Sequence, residues 1–369
     1  MSTKINARSP FYIKVQDAEL ASVILNLYIW DGVSSETTPI RYTLDKDAIG
    51  SNNYVIFEIA DYVRDYIETE YNDYSTNAVW VKWTYQIYDA AGAAVGTLAT
   101  SANHLGMDGY GYFEEGANPE LSRDLLQSNR DVYYLDGRDI VVPVFAEDVD
   151  SVALSGTGVS SVYWEQVESF WENYEVTWDA GSAGQDVNDS TDSHFKVVYV
   201  KITDTDNLAN TTSLIITKND TSTITVTLHK ICELKYTPLN VIFYNKFGAM
   251  QNLWFFKKST STINITGEKF KRNIIDSAGE YNAAKHQMKS FNVNATENLT
   301  MNTGFLPENF NEVIRQLMLS EEVWLDNGTE VLPIMPVTNS LTYKTNVNDK
   351  LINYTMEFQY AFDKVNNIR

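Results

Sequence analysis

The sequence predicts a mainly β protein of several domains, β-sandwich in architecture, with a few short helices and an α+β C-terminal domain. Three observations carry this. Apolar and polar residues alternate over much of the chain, the period of a half-buried strand. Clusters of Ser, Thr, Asn, Asp and Gly interrupt the runs at short spacing, as in sandwiches. Only two stretches follow a helical period. At 369 residues the chain also exceeds one ordinary domain.

The elements follow in order. Phe11, Ile13 and Val15 alternate, then Val23, Leu25, Leu27 and Ile29, and Asp31-Gly32 marks a turn. Residues 40–46 and 54–59 predict two further strands. Ile59, Tyr62, Val63, Tyr66 and Ile67 share one face of a short helix. Residues 78–88 form the clearest strand, with 95–99 folding back on it. The Gly-rich stretch 101–125 predicts an irregular loop, and 132–145 a hairpin about Asp136-Gly137. These make a first domain, 1–146.

Short strands at 159–167, 174–178, 195–202, 213–217 and 222–231 predict an Ig-like sandwich over 147–235, with an exposed loop at 179–193. The third domain, 236–369, carries strands within 236–259, 263–275, 287–303 and 341–362. Its helix, 308–319, opens at Pro307 and turns Val313, Ile314, Leu317 and Met318 onto a sheet. A hairpin spans 322–336 with Asn327-Gly328 at its tip. Pro333 and Pro336 predict that its second strand is an edge or a contact loop. The last strand alternates Ile352, Tyr354, Met356, Phe358 and Tyr360.

Composition excludes several function classes. Lys and Arg number 28 against 49 Asp and Glu, a net charge of −21, which argues against direct binding of nucleic acid or an anionic membrane. No window approaches 18 apolar residues, so no membrane span is predicted. The first residues lack an apolar signal core. The chain is therefore expected to stay in the cytoplasm that makes it, or to leave without a signal. One cysteine, Cys232, precludes an intrachain disulfide framework, and its apolar surroundings predict a buried free thiol.

Catalytic constellations are missing from the pattern. His104, His194, His229 and His286 are scattered and form no ligand motif, so neither metal nor cofactor is predicted. Nucleophile-elbow, phosphate-loop and dinucleotide fingerprints do not occur. Glu165, Glu168 and Glu172 are too few among 49 acids to single out a hydrolase pair. Asp204, Asp206 and Asn207 lack the Gly and distal Glu of a calcium loop. Trp164, Phe170, Trp171, Tyr174 and Trp178 form either a sandwich core or an interface anchor set.

The strings NVIFYNKFGAMQNLWFFKKS (240–259), NTGFLPENFNEVIRQLMLSEEVWL (302–325) and LTYKTNVNDKLINYTMEFQYAFDKVNNIR (341–369) resemble virion structural proteins of tailed bacteriophages. They are most similar to tail or baseplate-associated proteins of marine phages and phages of Bacteroidota. SPFYIKV, LYIWDG and FEIADYVRDYIE near the N-terminus are similar to the same group. The resemblance implies a non-enzymatic structural subunit of the virion, assembled in the host cytoplasm. It implies a homo-oligomeric ring, hexamer or trimer, in contact with other tail proteins, as a distal-tail or adaptor ring. The alternative is a carbohydrate- or receptor-binding module of a phage tail that meets a host-surface glycan. The expected interface is the C-terminal hairpin, through Trp324, Leu325, Asn327, Gly328, Leu332, Ile334 and Met335.

Overall fold

A computed structural model describes residues 4–31, 40–50, 52–71, 74, 78–119, 125–145, 149–155, 163–165, 185–186, 197–202, 208, 212–218, 220–232, 235–342 and 351–365. Within them the chain is mainly β, a set of sheets with two short α-helices. It divides into two compact units. The first is Met1–Cys232 with Ile242–Leu253 and Asn309–Glu321; the second is Glu233–Val241, Trp254–Glu308 and Glu322–Arg369.

The first unit begins with β1 (Lys4–Asn6), β2 (Tyr12–Gln16), β3 (Ser22–Trp30), β4 (Tyr42–Asp47), β5 (Tyr54–Glu58), α1 (Ala60–Arg64), β6 (Val79–Tyr88), β7 (Ala94–Thr100) and β8 (His104–Met107). Six of these strands form one sheet, ordered β1-β8-β6-β3-β4 with β7 also on β6. β2 and β5 pair separately, antiparallel. Val23, Leu25, Leu27 and Ile29 of β3 pack against Ile13, Val15, Val55 and Phe57 of that pair and Val63 of α1. The period-two pattern thus buries one face of each layer.

β9 (Asp131–Tyr134), β10 (Ile140–Phe145), β11 (Val149–Ser155), β12 (Tyr163–Glu165), β13 (Gln185–Asp186), β14 (Val197–Ile202), β15 (Ser213–Lys218) and β16 (Thr223–Lys230) follow. They build two sheets, β10-β14-β12 and β13-β11-β15-β16-β9. Val142, Val144, Val200 and Ile202 of one meet Val149, Val152, Leu214, Ile216, Val226 and Leu228 of the other. This is a β-sandwich core.

Two expectations change here. Residues 132–145 do not form a hairpin: β9 pairs parallel with β16, and β10 antiparallel with β14 in the opposite sheet. Their apolar residues complete the sandwich, and the turn at Asp136-Gly137 carries the chain between its layers. The stretch 101–125, expected as an irregular loop, holds β8 and is buried from Leu105 to Tyr110, while residues 113–117 are irregular and exposed. Tyr110 N donates to the Lys246 carbonyl (2.9 Å), and Asp108 and Tyr110 are buried. Gly248, at φ +74°, leaves room for this contact: a Cβ there would lie 2.7 Å from Gly109 N.

The remaining elements are β17 (Leu239–Tyr244), β18 (Met250–Phe255), β19 (Thr260–Lys271), β20 (Met288–Pro307), α2 (Phe310–Leu319), β21 (Val323–Asp326), β22 (Val331–Pro336) and β23 (Leu351–Tyr360). The helix was expected on the C-terminal sheet, but Asn309–Glu321 belongs to the first unit. Asn309 Nδ2 donates to Asp131 Oδ2 (2.6 Å), and Phe310 meets the Tyr133 ring edge-on. Phe310, Val313, Ile314, Gln316 and Leu317 are its buried residues, while Met318 is half-buried. Pro307 ends β20 opposite Leu351 instead of opening the helix.

Beside α2 the Tyr112 hydroxyl donates to Glu312 Oε1 (2.6 Å) beneath the Arg315 guanidinium, 3.6 Å from the ring centre. Burial first, and the Glu312 bond next, push the Tyr112 phenol up; burial pushes Tyr110 up to about 12.

In the second unit β21-β22-β23-β20-β19 run in that order, antiparallel throughout. Ile352, Tyr354, Met356 and Phe358 are buried on one face of β23, as their alternation predicts, and Tyr360 is half-buried. β20 bulges between Asn302 and Phe305. Gly304 sits there at φ +77°, where a Cβ would stand 2.2 Å from the Phe256 ring.

β22 is an interior strand, not an edge. Both prolines stand where they break no ladder. The Pro333 carbonyl accepts from Ala361 N (3.0 Å) just past the end of the pairing with β23, and Pro336 ends that three-residue pairing.

Candidate assembly interface

The C-terminal hairpin forms as expected, with Asp326 and Asn327 side chains accepting from Gly328, Thr329 and Glu330 N–H groups at the tip. Its residues divide between core and surface. Trp324, Leu325 and Ile334 are buried within the chain, Leu332 is half-buried, and Asn327, Gly328 and Met335 are exposed. What this hairpin offers a partner is therefore its tip and Met335.

A larger surface lies in β19 and the first half of β20. The two strands pair from Thr260↔Thr300 to Lys271↔Met288, a ladder about 40 Å long at roughly 3.4 Å per residue. β23 supports β20 only from Asn298 onward. The chain beyond is an arm: every residue from 260 to 293 is exposed except Arg272 and Ile274, which are half-buried.

The base of the arm is clamped. Lys364 Nζ and the Ser261 hydroxyl both donate to the Glu297 carboxylate, which holds it below the usual carboxylate range. Asn294 Nδ2 donates to Asp363 Oδ2 (2.7 Å), and Lys364 N to the Ala295 carbonyl (2.8 Å). The tip orders itself locally. Asp276 Oδ1 accepts from Ala278 N and Glu280 N, both at 3.0 Å, and Asn282 Oδ1 from Ala284 N at 2.8 Å.

Strand alternation sorts the arm into two faces. One carries Ile263 and Ile265 with Lys269 and Lys271, and Met288 opposite the last of these. The other carries Phe270 and Phe291, whose rings meet edge-on at 5.5 Å. An extra residue in β20, opposite Gly267, places Asn292 at φ +51° and Val293 against the glycine. Ile263, Ile265, Phe270, Ile275, Tyr281, Met288, Phe291 and Val293 are each 41–68% exposed. So dense an exposed apolar set makes the arm a candidate interaction surface. Along β19 the outer edge has no ladder partner among the described residues, leaving its backbone N–H and C=O groups open to another strand.

The arm is basic. Residues 257–293 hold seven Lys and Arg (257, 258, 269, 271, 272, 285, 289) and three acids (268, 276, 280), a net of +4; the rest of the chain then carries −21 − 4 = −25. Sequence reading placed strands on both sides of this segment but missed the arm. Its available signal was the basic run in an acidic chain.

Cys232 is exposed, not buried as its apolar neighbours predicted, with Sγ 3.5 Å from the Lys230 carbonyl. His229 Nε2 lies 2.7 Å from Asp131 Oδ1, whose carboxylate also receives Asn309, so this histidine has a structural role. Among the described residues no group of three or more His, Cys, Asp or Glu is placed to hold a metal, and no helix is long and apolar enough to cross a membrane. The expected loop 179–193 is described only at Gln185–Asp186, which form β13 against β11; the rest of it, His194, Glu168, Glu172, Asp204, Asp206, Asn207, Phe170, Trp171, Tyr174 and Trp178 lie outside the described residues, as do the side chains of Trp164 and Glu165.

No protein-family model and no curated protein matches the chain. Among solved structures it is similar to trypsin-activated alpha-2-macroglobulin from Escherichia coli, at 8% identity and a TM-score of 0.22. That likeness covers 96% of this chain and 21% of the other, so the chain spans about a fifth of that protein. An overlap so shallow carries no argument about fold or function.

Proposed function

We propose that the chain is a non-enzymatic structural subunit of a tailed-phage virion, a tail or baseplate protein that assembles through β-domain surfaces. The observation that carries the reading is the arm of β19 and β20. It is ordered, clamped at its base, and exposes apolar residues on both faces. An isolated two-stranded ribbon gains little stability from such residues, so their use lies in contact with another molecule. The resemblance of both chain ends to phage tail proteins supplies the setting.

The test is to band particles from a lysate of cells producing the chain and to locate it with gold-labelled antibody. Co-banding with particles and label at one tail position is expected. A chain that stays wholly in the soluble fraction discards the reading.

A further inference from the structure

We infer that the partner of the arm is the arm of a second copy of this chain. β19 adds antiparallel to its own counterpart, with Thr266 opposite Thr266 of the partner subunit. The inference rests on the structural-subunit reading and names its contact. β19 closes one side of its sheet, and all twelve of its residues are exposed. Among the described residues it pairs with β20 alone, and the chain on both sides of it is described without a break from 235 to 342. Such an edge lacks one row of backbone partners and can take the same row from a copy turned by half a revolution.

The strand fits itself in this direction. Residues 260–267 carry no charge, and Glu268, Lys269, Lys271 and Arg272 follow together. Antiparallel pairing therefore lays the charged half of each copy along the uncharged half of the other. About Thr266 it sets Lys269 opposite Ile263, Lys271 opposite Ser261, Arg272 opposite Thr260 and Glu268 opposite Asn264. No like charges face each other, and the lysine stems lie on neutral neighbours with their ammonium groups in water. A parallel alignment in register would bring Lys269 and Lys271 beside their own counterparts. An antiparallel one centred on Glu268 or Lys269 would oppose two identical charges. Alternation agrees with the centre at Thr266. Odd positions meet odd positions, so the isoleucines of both copies share one face, and Ile265 lies diagonally across from Ile265 of the partner subunit. These are residues that the single chain leaves 53% and 68% exposed, Ile263 and Ile265. Both surfaces are the same, so the contact is isologous and closes at two copies. Net charge opposes it, since both arms carry +4 and both chains −21. Backbone pairing and apolar contact hold it, and salt strengthens it by screening the repulsion.

The experiment measures the mass of the purified full chain by light scattering across protein concentration, at about 50 and 500 mM salt. The parent is expected to dimerise, with a dissociation constant at least about threefold lower at the higher salt. Ile263→Lys faces Lys269 twice in the dimer and should raise that constant about tenfold, with unchanged circular dichroism. Adding Lys269→Glu to the same chain should restore the dimer. The register is read by cross-linking in a Cys232→Ser background. Thr266→Cys, at an exposed position, should oxidise to a disulfide-linked dimer, whereas Ile275→Cys near the arm's tip should not. A parent that stays monomeric, a dimer loosened by salt, an Ile263→Lys loss without rescue, or a Thr266→Cys chain that links no more than Ile275→Cys overturns the proposal. These outcomes are separate from the virion reading. Particles that contain the chain while Thr266→Cys never links sink the arm contact alone, and absence from particles sinks the virion reading whatever the arm does.

Discussion

β3 and β19 have similar sequence patterns and opposite fates. Both are long strands whose aliphatic residues recur at every second position. In β3 Val23, Leu25, Leu27 and Ile29 are wholly buried under β2, β5 and α1. In β19 Ile263 and Ile265 remain 53% and 68% exposed, and no layer of the second unit covers them. Alternation reports that one face of a strand is suited to being covered. It does not report whether the covering layer belongs to the same chain. The difference shows up in what surrounds the strand: β3 has strands on both sides, while β19 ends its sheet and sits in a basic segment.

That contrast can be broken at several points. Leu25→Ala in β3 should cost the most, about 2–5 kcal/mol of stability, because a buried leucine leaves a cavity that a packed core closes only in part. Chemical denaturation measures it, and a loss below about 1 kcal/mol would make the first core as forgiving as the arm. Gly304→Ala comes next, at about 1–3 kcal/mol, from the positive φ and the collision with Phe256. It tests whether the second unit has a tight core behind its arm, and a denaturation midpoint equal to the parent's would show that it does not.

The third prediction concerns pH. Burial raises the folded Tyr110 phenol to about 12, above its ordinary value near 10. The unfolded chain then gives up that proton first. The contribution is present in full below about pH 10 and is lost as pH rises towards 12. The denaturation midpoint should fall across that window, and Tyr110→Phe should make the fall shallower. An identical slope in both proteins would remove the burial argument. The smallest effect belongs to the arm. Ile265→Ser should change the stability of the monomer by less than about 0.5 kcal/mol, as for an exposed surface site. A loss near that of Leu25→Ala would mean the arm is folded down onto a core.

Much of the fold was legible. The strands at 78–88, 213–217, 222–231 and 351–360 appear within a residue or two of their expected positions, because alternation and flanking turn residues are local signals. The hairpin tip at Asn327-Gly328 was legible for the same reason. Less legible were β9 and β10. Asp136-Gly137 does mark a turn, but a turn signal is silent on whether its flanking strands pair with each other or with partners about 60 and 95 residues away. The face of α2 was read almost correctly, yet Gln316 is buried in place of Met318: its Oε1 accepts from Lys246 N (3.4 Å) and its Nε2 donates to Glu312 (2.9 Å). The candidate site was half legible. Both arm strands were anticipated, and attention still went to the neighbouring hairpin, whose aromatic and aliphatic residues looked like anchors. Trp324, Leu325 and Ile334 turn out to be core.

By itself the sequence determined the fold class, most strand positions and the charge contrast between residues 257–293 and the rest. These follow from residue type and from spacing over a few positions, which act through backbone sterics and the period of burial. Only the tertiary structure decided which strands share a sheet, that the helix after Pro307 joins the first unit, and that β19 is left uncovered. Those outcomes depend on long-range pairing. Its energy is a sum over surfaces brought together from distant parts of the chain, and no local window contains that sum.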